Sequence, residues 1–111
     1  MLPSRPKILH LSPVMTVSEL KHQIQQLIGC DMEIYVQHRP APPYLTLQEI
    51  GFHLPAYANE VLQLAIDETW RIRELEAWFE QHCQLQVELG KSTLASFRYK
   101  QIRIYQLRHA R

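Results

Sequence analysis

Glycine and cysteine are both scarce in this sequence, which holds three Gly and two Cys in 111 residues. So little glycine argues against a Gly-rich phosphate loop and against flexible linkers. Two cysteines imply no disulfide framework, and we expect Cys30 and Cys83 to be buried, reduced thiols. No apolar run approaches the roughly 18 residues that a membrane-spanning helix needs. With a start that predicts no signal peptide, these absences favour a cytoplasmic globular protein without a membrane partner.

Acidic side chains are missing from residues 91–111, which carry six Lys or Arg and no Asp or Glu. Residues 1–90 carry the other six basic residues and all eleven acidic ones. The formal net charge of +1 therefore conceals a basic C-terminal segment, residues 91–111, behind an acidic first part. Such a segment can attract phosphate, an acidic protein surface or the acidic part of its own chain.

The clearest predicted element is a helix over residues 17–28. Thr16 and Glu19 form a capping box, in which the hydroxyl accepts from an orphan helix amide and the carboxylate accepts from the amide of the cap residue. Gly29 supplies the left-handed residue that ends a helix. Between these signals apolar residues recur at spacings of three and four. This apolar stripe consists of Val17, Leu20, Ile24, Leu27 and Ile28.

A second helix is predicted after a cap at Asp67 or Thr69. Its apolar residues also recur at spacings of three and four, which indicates one buried face. This stripe consists of Ile72, Leu75, Phe79 and Cys83.

Alternating and β-branched residues predict several short strands. The last segment, residues 94–107, fits both a strand and a helix, and its aromatic and β-branched content favours a strand. No internal repeat is evident. The predicted strands are 7–11, 33–38, 61–66 and 84–89, with a short edge strand at 44–47 and a tight or helical turn at 48–52.

The order strand, capped helix, strand, proline-rich bend, short turn and strand over residues 7–66 resembles the β-grasp fold of ubiquitin-like domains. The resemblance implies an α+β fold, with a β-grasp-like mixed sheet and one main helix in residues 1–66. The main helix would then lie across a sheet that includes Ile34 and Leu64. Residues 67–111 are expected to form a helix and a basic, strand-rich extension packed on that module as a single compact unit.

Two departures from the family pattern affect these expectations. Only one convincing strand precedes the first helix. Either residues 1–11 form a cramped hairpin, or a strand is supplied from elsewhere, with 84–89 or 97–107, of this chain or of a second copy, as the expected donors. A strand-exchanged homodimer is therefore an alternative to the monomer. The sequence also has no diglycine after Ile66 or in its last residues, so we expect no conjugation through a C-terminal glycine. A binding surface or a sheet edge remains as the working part.

No residue set in the sequence proposes a reaction. The six histidines include no pair at the spacing of a helical metal site, and Cys83 falls on the apolar stripe of its helix. Gly90 to Thr93 resembles the end of a phosphate-binding loop, but the earlier glycine that such a loop needs is Leu85 here. We therefore expect no catalytic residue, no metal ligand and no cofactor, and predict that the protein is not an enzyme.

The function predicted from the sequence is a non-catalytic adaptor or accessory subunit that binds another protein. Contacts are expected through an exposed sheet edge, an exposed aromatic anchor and the basic C-terminal segment. The predicted partner-binding residues are Trp70, Arg98, Lys100, Arg103 and Arg108.

The alternative is an RNA- or DNA-binding accessory protein. Cations interleaved with aromatic rings are what single-stranded nucleic acid requires, because the cations pair with phosphates and the rings stack on bases. The residues predicted for this role are Arg98, Tyr99, Lys100, Arg103, Tyr105 and Arg108.

Overall fold

Two helices of equal length, each with one buried apolar stripe, organise the molecule. The structure, a computed structural model, describes residues 7–90 and 100–109, the side chains of the last two excepted. The α+β class predicted from the sequence is confirmed. In chain order the elements are β1 (Lys7–Leu11), α1 (Val17–Ile28), β2 (Met32–Val36), β3 (Arg39–Pro40), a 3-10 turn (Gln48–Ile50), β4 (Leu62–Ile66), α2 (Ile72–Cys83), β5 (Gln86–Leu89) and a second 3-10 turn (Ile104–His109).

Helix α1 begins and ends where its sequence signals place it. The hydroxyl of Thr16 accepts from the Glu19 amide at 3.1 Å, and the Glu19 carboxylate accepts from the Thr16 amide at 3.2 Å. Gly29 adopts the left-handed conformation (φ 74°) and donates to the Gln25 carbonyl at 3.0 Å. Four residues of the predicted stripe are buried, and each contributes about 1.5–3 kcal/mol through its burial. They are Val17, Leu20, Ile24 and Ile28.

Helix α2 starts later than the capping signals predict. Asp67 instead accepts from the amide (2.9 Å) and hydroxyl (2.6 Å) of Thr69 in a local turn. Arg71 is the N-cap, and its amide donates to the Glu74 carboxylate at 3.2 Å, so only the carboxylate half of a capping box forms. A guanidinium has no acceptor and cannot supply the other half. The predicted stripe is confirmed, because Ile72, Leu75, Phe79 and Cys83 are all fully buried.

The strands form two antiparallel sheets in the described residues. One is the ribbon β1–β4, and the other has the order β3–β2–β5. Leu9 pairs with Leu64 in the first sheet, and Glu33 pairs with Glu88 in the second. The side chains that face inward from both sheets join the two helices in a single apolar core.

This pairing corrects two expectations. Ile34 lies in β2 and Leu64 in β4, so they do not share one sheet in the described part of the chain. The partner of β1 is β4 rather than residues 84–89, which pair with β2. The division at residue 66 stays a prediction, and strand pairing crosses it in the second sheet, where β2 pairs with β5.

Strand boundaries also differ from prediction. The strand predicted over 33–38 ends at Val36, because Gln37 and His38 take positive φ angles (51° and 67°) in the turn to β3. A two-residue hairpin needs such angles at both positions, so the turn overrides the β propensity. The edge strand predicted over 44–47 is reduced to one bridge between Thr16 and Thr46.

The preference for a strand over 94–107 is wrong for the part that the structure describes. Residues 100 and 101 are helical, and Arg103 makes an isolated bridge with Arg71 before the second 3-10 turn begins. Ile104 is buried and Leu107 packs against the core. A strand would point these two side chains to opposite faces, whereas the three residues per turn of a 3-10 helix bring them to one face. Residues 94–99 lie outside the described residues.

The structure contains an internal repeat that is not evident from the sequence. Residues 7–34 and 62–89 share the order strand, twelve-residue helix, strand, with a constant shift of 55 positions. The N-caps Thr16 and Arg71 have nearly equal dihedral angles, and Gly29 and Gln84 are both left-handed C-caps. In each of the strand pairs β1–β4 and β2–β5, one residue lies opposite its own equivalent 55 positions later: Leu9 opposite Leu64, and Glu33 opposite Glu88. Pairing between equivalent residues is the mark of a two-fold axis, so the two halves are related by pseudo-two-fold symmetry.

The repeat continues into the turns that follow each second strand, with a shift of 57 positions. In each half a segment bridges to the helix N-cap and then forms a 3-10 turn. The hydrogen bonds correspond one to one. The bond from Val17 N to Leu45 O (2.8 Å) corresponds to that from Ile72 N to Ile102 O (3.0 Å). The bond from Leu47 N to Met15 O (2.8 Å) corresponds to that from Ile104 N to Trp70 O (2.8 Å). The bond from Gln48 N to Pro13 O (3.0 Å) corresponds to that from Tyr105 N to Glu68 O (3.0 Å).

Candidate protein-binding edge

A sheet edge presents unpaired backbone N–H and C=O groups, which can pair with a strand of another chain. In an antiparallel pair, alternate residues turn these groups towards the partner strand and away from it. The accessible edges of this protein can therefore be found by asking where the outward-pointing groups go. The two described sheets have edges at β1, β4, β3 and β5.

The edge of β1 is closed by a side chain of α1. The His10 amide donates to Gln23 Oε1 at 2.7 Å, and Gln23 Nε2 donates to the His10 carbonyl at 2.8 Å. The carboxamide of Gln23 thus binds both backbone groups of one residue, as a neighbouring strand would. The backbone N–H and C=O groups of His10 point away from β4, and by alternation those of Ile8 do too. The backbone groups of Leu9 and Leu11 point towards their partners in β4.

The edge of β5 is closed by an ion pair. The Leu89 amide donates to Glu76 Oε2 at 2.7 Å, and Lys100 Nζ donates to the Leu89 carbonyl at 2.7 Å. Lys100 also forms a salt bridge with Glu76, and the two side chains are only 17% and 18% exposed. Lys100, from the basic C-terminal segment, therefore occupies the outward carbonyl of Leu89 on this edge.

The edge of β3 offers little to a partner strand. The strand has two residues, Arg39 and Pro40. Proline has no amide hydrogen to donate, and a charged residue on a short edge opposes further pairing.

The edge of β4 carries none of these protections in the described part of the chain. Gln63 pairs with His10 and Ala65 pairs with Ile8, so Gln63 and Ala65 turn their backbone groups away from β1. Within residues 7–90 and 100–109, no hydrogen bond reaches these outward groups. Residues 61–66 include no charged side chain and no proline. This edge is the candidate functional site.

The side chains along β4 alternate as a strand-binding edge requires. Val61 is 41% exposed, and Gln63 and Ala65 are exposed on the same face. Leu62 and Ile66 are buried on the opposite face against the core. A strand added here would extend both an apolar inner face and a nearly neutral outer face.

The pseudo-symmetry shows what distinguishes this edge from that of β1. The counterpart of His10 is Ala65, and the counterpart of Gln23 is Trp78. An indole cannot bind an amide and a carbonyl as a carboxamide does, because it carries one donor and no acceptor. Trp78 is half-buried and contacts Phe79 (ring centroids 5.3 Å apart) and His82 (5.3 Å). The residue equivalent to Gln23 thus cannot cap the edge of β4 as Gln23 caps that of β1.

The predicted partner-binding residues that the structure describes lie mainly in internal contacts. Trp70 is half-buried against the core, and its carbonyl accepts from Ile104. Lys100 plugs the β5 edge, as described above. Arg103 is half-buried, and its Nη1 donates to the Thr69 carbonyl at 2.6 Å. These contacts match the sequence-based option in which the basic C-terminal segment binds the acidic part of its own chain.

The residues predicted for nucleic-acid binding are only partly described. Tyr105 is 44% exposed, and Lys100 and Arg103 make the internal contacts given above. Arg98, Tyr99 and the side chain of Arg108 lie outside the described residues. The nucleic-acid alternative therefore stays a prediction, and no contact in the described residues favours it.

The thiols and the charged groove next to α1 offer no reactive arrangement. Cys30 and Cys83 are buried, and burial raises the pKa of the Cys83 thiol to about 12, which leaves it protonated at neutral pH. A groove of about 380 Å³ runs between α1 and β2, and its Lys21 and Glu33 already form an ion pair at 3.7 Å. Among the described residues no three His, Cys, Asp or Glu side chains lie close enough to share a metal ion.

Comparison with known proteins leaves the site to be interpreted from its own geometry. No protein-family model, curated protein or solved structure matches the chain. No helix in the described residues is long and apolar enough to cross a bilayer.

Sequence reasoning proposed an exposed sheet edge without naming its strand. Gln23, Glu76 and Trp78 were not among the predicted residues, although they decide which edge is accessible. Gln23 lies on the polar face of α1, where any hydrophilic residue would fit the pattern. Its pairing with His10 depends on where the sheet lies, so only the fold reveals it.

Proposed function

We propose that this protein is a non-catalytic binding module or accessory subunit that accepts an extended segment of another protein as an added strand along β4. The supporting observation is the contrast between the outward backbone groups of His10, held by Gln23, and those of Gln63 and Ala65, which have no partner in the described residues. Main-chain hydrogen bonds provide the affinity in such complexes, and the alternating side chains provide the specificity.

The proposal includes a distant relationship to ubiquitin-like domains and a cytoplasmic site of action. The order of elements over residues 7–66, with its capped helix α1 and the 3-10 turn Gln48–Ile50, supports the relationship. Two buried cysteines without a disulfide agree with a reducing compartment.

A selection of random peptides tests the binding mode. Peptides displayed on phage are selected on the immobilised protein, and the affinity of each selected peptide is then measured by fluorescence anisotropy. Ala65→Pro is the diagnostic variant, because it removes one outward amide without removing a bond of the β1–β4 ladder. The matched control is Ala65→Val, which keeps the amide and has a higher strand propensity.

We expect Ala65→Pro to weaken binding at least about tenfold, because one backbone hydrogen bond is lost and the ring obstructs the incoming strand. Ala65→Val should bind within about threefold of the natural chain, a difference of less than about 0.7 kcal/mol. Circular dichroism must show that both variants remain folded. Selected peptides that bind all three proteins equally would refute the proposed edge.

A further inference from the structure

The outward backbone groups and the uncharged side chains of β4 suit one particular added strand. Resting on the proposed function, we infer that the strand that pairs along β4 is β4 of a second copy of this chain. The two copies would form a four-stranded antiparallel sheet in the order β1–β4–β4–β1. The pairing differs from strand exchange, because each β1 keeps the β4 of its own chain.

The positions of the outward backbone groups restrict the register of this dimer. Residues that exchange hydrogen bonds must be outward-pointing on both strands, which selects Val61, Gln63 and Ala65. The register that uses all three places Gln63 opposite Gln63 of the other copy and Val61 opposite Ala65. Leu62 then lies beside Leu64 of the other copy on the inner face, where both side chains extend the apolar layer.

The lack of charge on β4 permits pairing with a second copy. Like charges directly opposite each other destabilise an antiparallel pair, and a strand that pairs with itself usually meets that penalty. Residues 61–66 carry no charge, so the penalty does not arise. In the register given above, two small or branched side chains, Val61 and Ala65, face each other, and the two Gln63 amides can bind one another.

The chain already makes the same type of pairing twice. β1 pairs with its counterpart β4, and β2 pairs with its counterpart β5, both around the pseudo-two-fold axis of the chain. The inferred dimer adds a second two-fold axis, through Gln63. It is also a closed assembly, because both copies use the same edge, and in each copy Gln23 binds the outward groups of His10 at the outer edge of β1. A dimer rather than a fibre results.

Cysteine substitution tests the register directly. Opposite residues of a hydrogen-bonded antiparallel pair have Cα atoms about 5.5 Å apart, which is within the range that a disulfide spans. Gln63→Cys should therefore cross-link two copies under mild oxidation. The matched control is Ala65→Cys, whose counterpart in the other copy is four residues further along the strand, about 13 Å away. The natural thiols Cys30 and Cys83 are buried and should not react in either variant.

Sedimentation velocity provides the second measurement, on the natural chain, Ala65→Pro and Ala65→Val. We expect a concentration-dependent dimer for the natural chain and for Ala65→Val, and at least about tenfold weaker association for Ala65→Pro. We also expect the disulfide dimer to form much faster for Gln63→Cys than for Ala65→Cys.

The possible outcomes separate this inference from the proposed function. A natural chain that stays monomeric at every concentration, or equal cross-linking of the two cysteine variants, overturns the inferred dimer. If β4-dependent peptides are nevertheless selected, the proposed function stands with another partner. If the chain is monomeric and no such peptide is found, both are wrong.

Discussion

The two halves of this protein have the same design and close their sheet edges differently. In the first half, Gln23 binds the backbone of His10 and seals β1. In the second half, the equivalent residue is Trp78, and the outward groups of β4 have no partner in the described residues. The buried positions of the two helices are equivalent, whereas Gln23 and its equivalent Trp78 differ. The comparison shows that both helices keep their buried stripes, and the proposed function rests on the difference at the edges.

The largest expected effect tests whether the halves share one core. Ile24 and Phe79 are equivalent and both are fully buried. We expect Phe79→Ala to lower the free energy of unfolding by about 3–5 kcal/mol and Ile24→Ala by about 2–5 kcal/mol. Urea denaturation followed by circular dichroism measures both. Each variant should unfold in a single transition, and two separate transitions in either one would show that the halves fold independently.

The next effect concerns Glu76 and its equivalent, Lys21. We expect Glu76→Ala to destabilise the protein by about 1.5–3 kcal/mol, because the mostly buried Lys100 and the Leu89 amide lose a charged acceptor. Lys21→Ala should cost less than about 1 kcal/mol, since its pair with Glu33 is long and more than a third exposed. Urea denaturation measures the free energy of unfolding of the two variants. Equal decreases would contradict the role of the Glu76–Lys100 pair in closing the edge of β5.

The C-caps should respond to substitution with opposite signs. Gly29 and Gln84 both have left-handed angles (φ 74° and 55°), and a Cβ at Gly29 would meet no atom within 4 Å. Gly29→Ala should therefore cost about 1–2 kcal/mol through backbone strain alone. Gln84→Gly should stabilise by about 0.5–1 kcal/mol, because that strain is relieved. Thermal denaturation provides the comparison, and a loss of stability in Gln84→Gly would disprove the equivalence of the two caps.

The smallest effect is a difference in pH dependence between the two 3-10 turns. Glu49 accepts from the Thr46 amide (2.9 Å), and the equivalent Gln106 accepts from the Arg103 amide (2.8 Å). The bonds from Thr46 lower the pKa of Glu49 below 4.5. A lowered pKa in the folded state means that the turn is stabilised above about pH 4.5 and loses this contribution as the pH falls through the lowered value.

NMR titration of the Glu49 carboxyl carbon, with the amide shifts of Thr46 and Arg103, measures this difference. The Thr46 amide should follow the Glu49 titration, whereas the Arg103 amide should not respond to acid in that range, since Gln106 does not ionise. In Glu49→Gln the response of Thr46 should disappear. A midpoint at or above 4.5 for Glu49 would contradict the lowered pKa.

The helices and most strands could be predicted from the sequence because their signals are local. The capping box at Thr16, the left-handed Gly29 and the stripe from Ile72 to Cys83 lie within single elements. The repeat is not evident from the sequence because most of its equivalent residues differ in identity, and the pairs Ile24 with Phe79 and Cys30 with Leu85 share burial alone.

The candidate edge could be predicted as a type of surface, but the sequence did not identify its strand. Which edge is accessible depends on Gln23 and Lys100, whose contacts join residues 13 and 11 positions away in the sequence, respectively. Nor could the sequence show that Lys100 and Arg103 turn inward, since cations in a basic segment have the same pattern whether they bind a partner or their own chain.

Amide hydrogen exchange along β4, measured by NMR at several protein concentrations, tests the central claim most directly. Leu62 and Leu64 bond to β1 and should be protected at every concentration. The amides of Gln63 and Ala65 should exchange rapidly in dilute solution and become protected as the concentration rises and copies pair. Protection of Gln63 and Ala65 equal to that of Leu64 in dilute solution would mean that the chain already covers this edge, and would contradict the account.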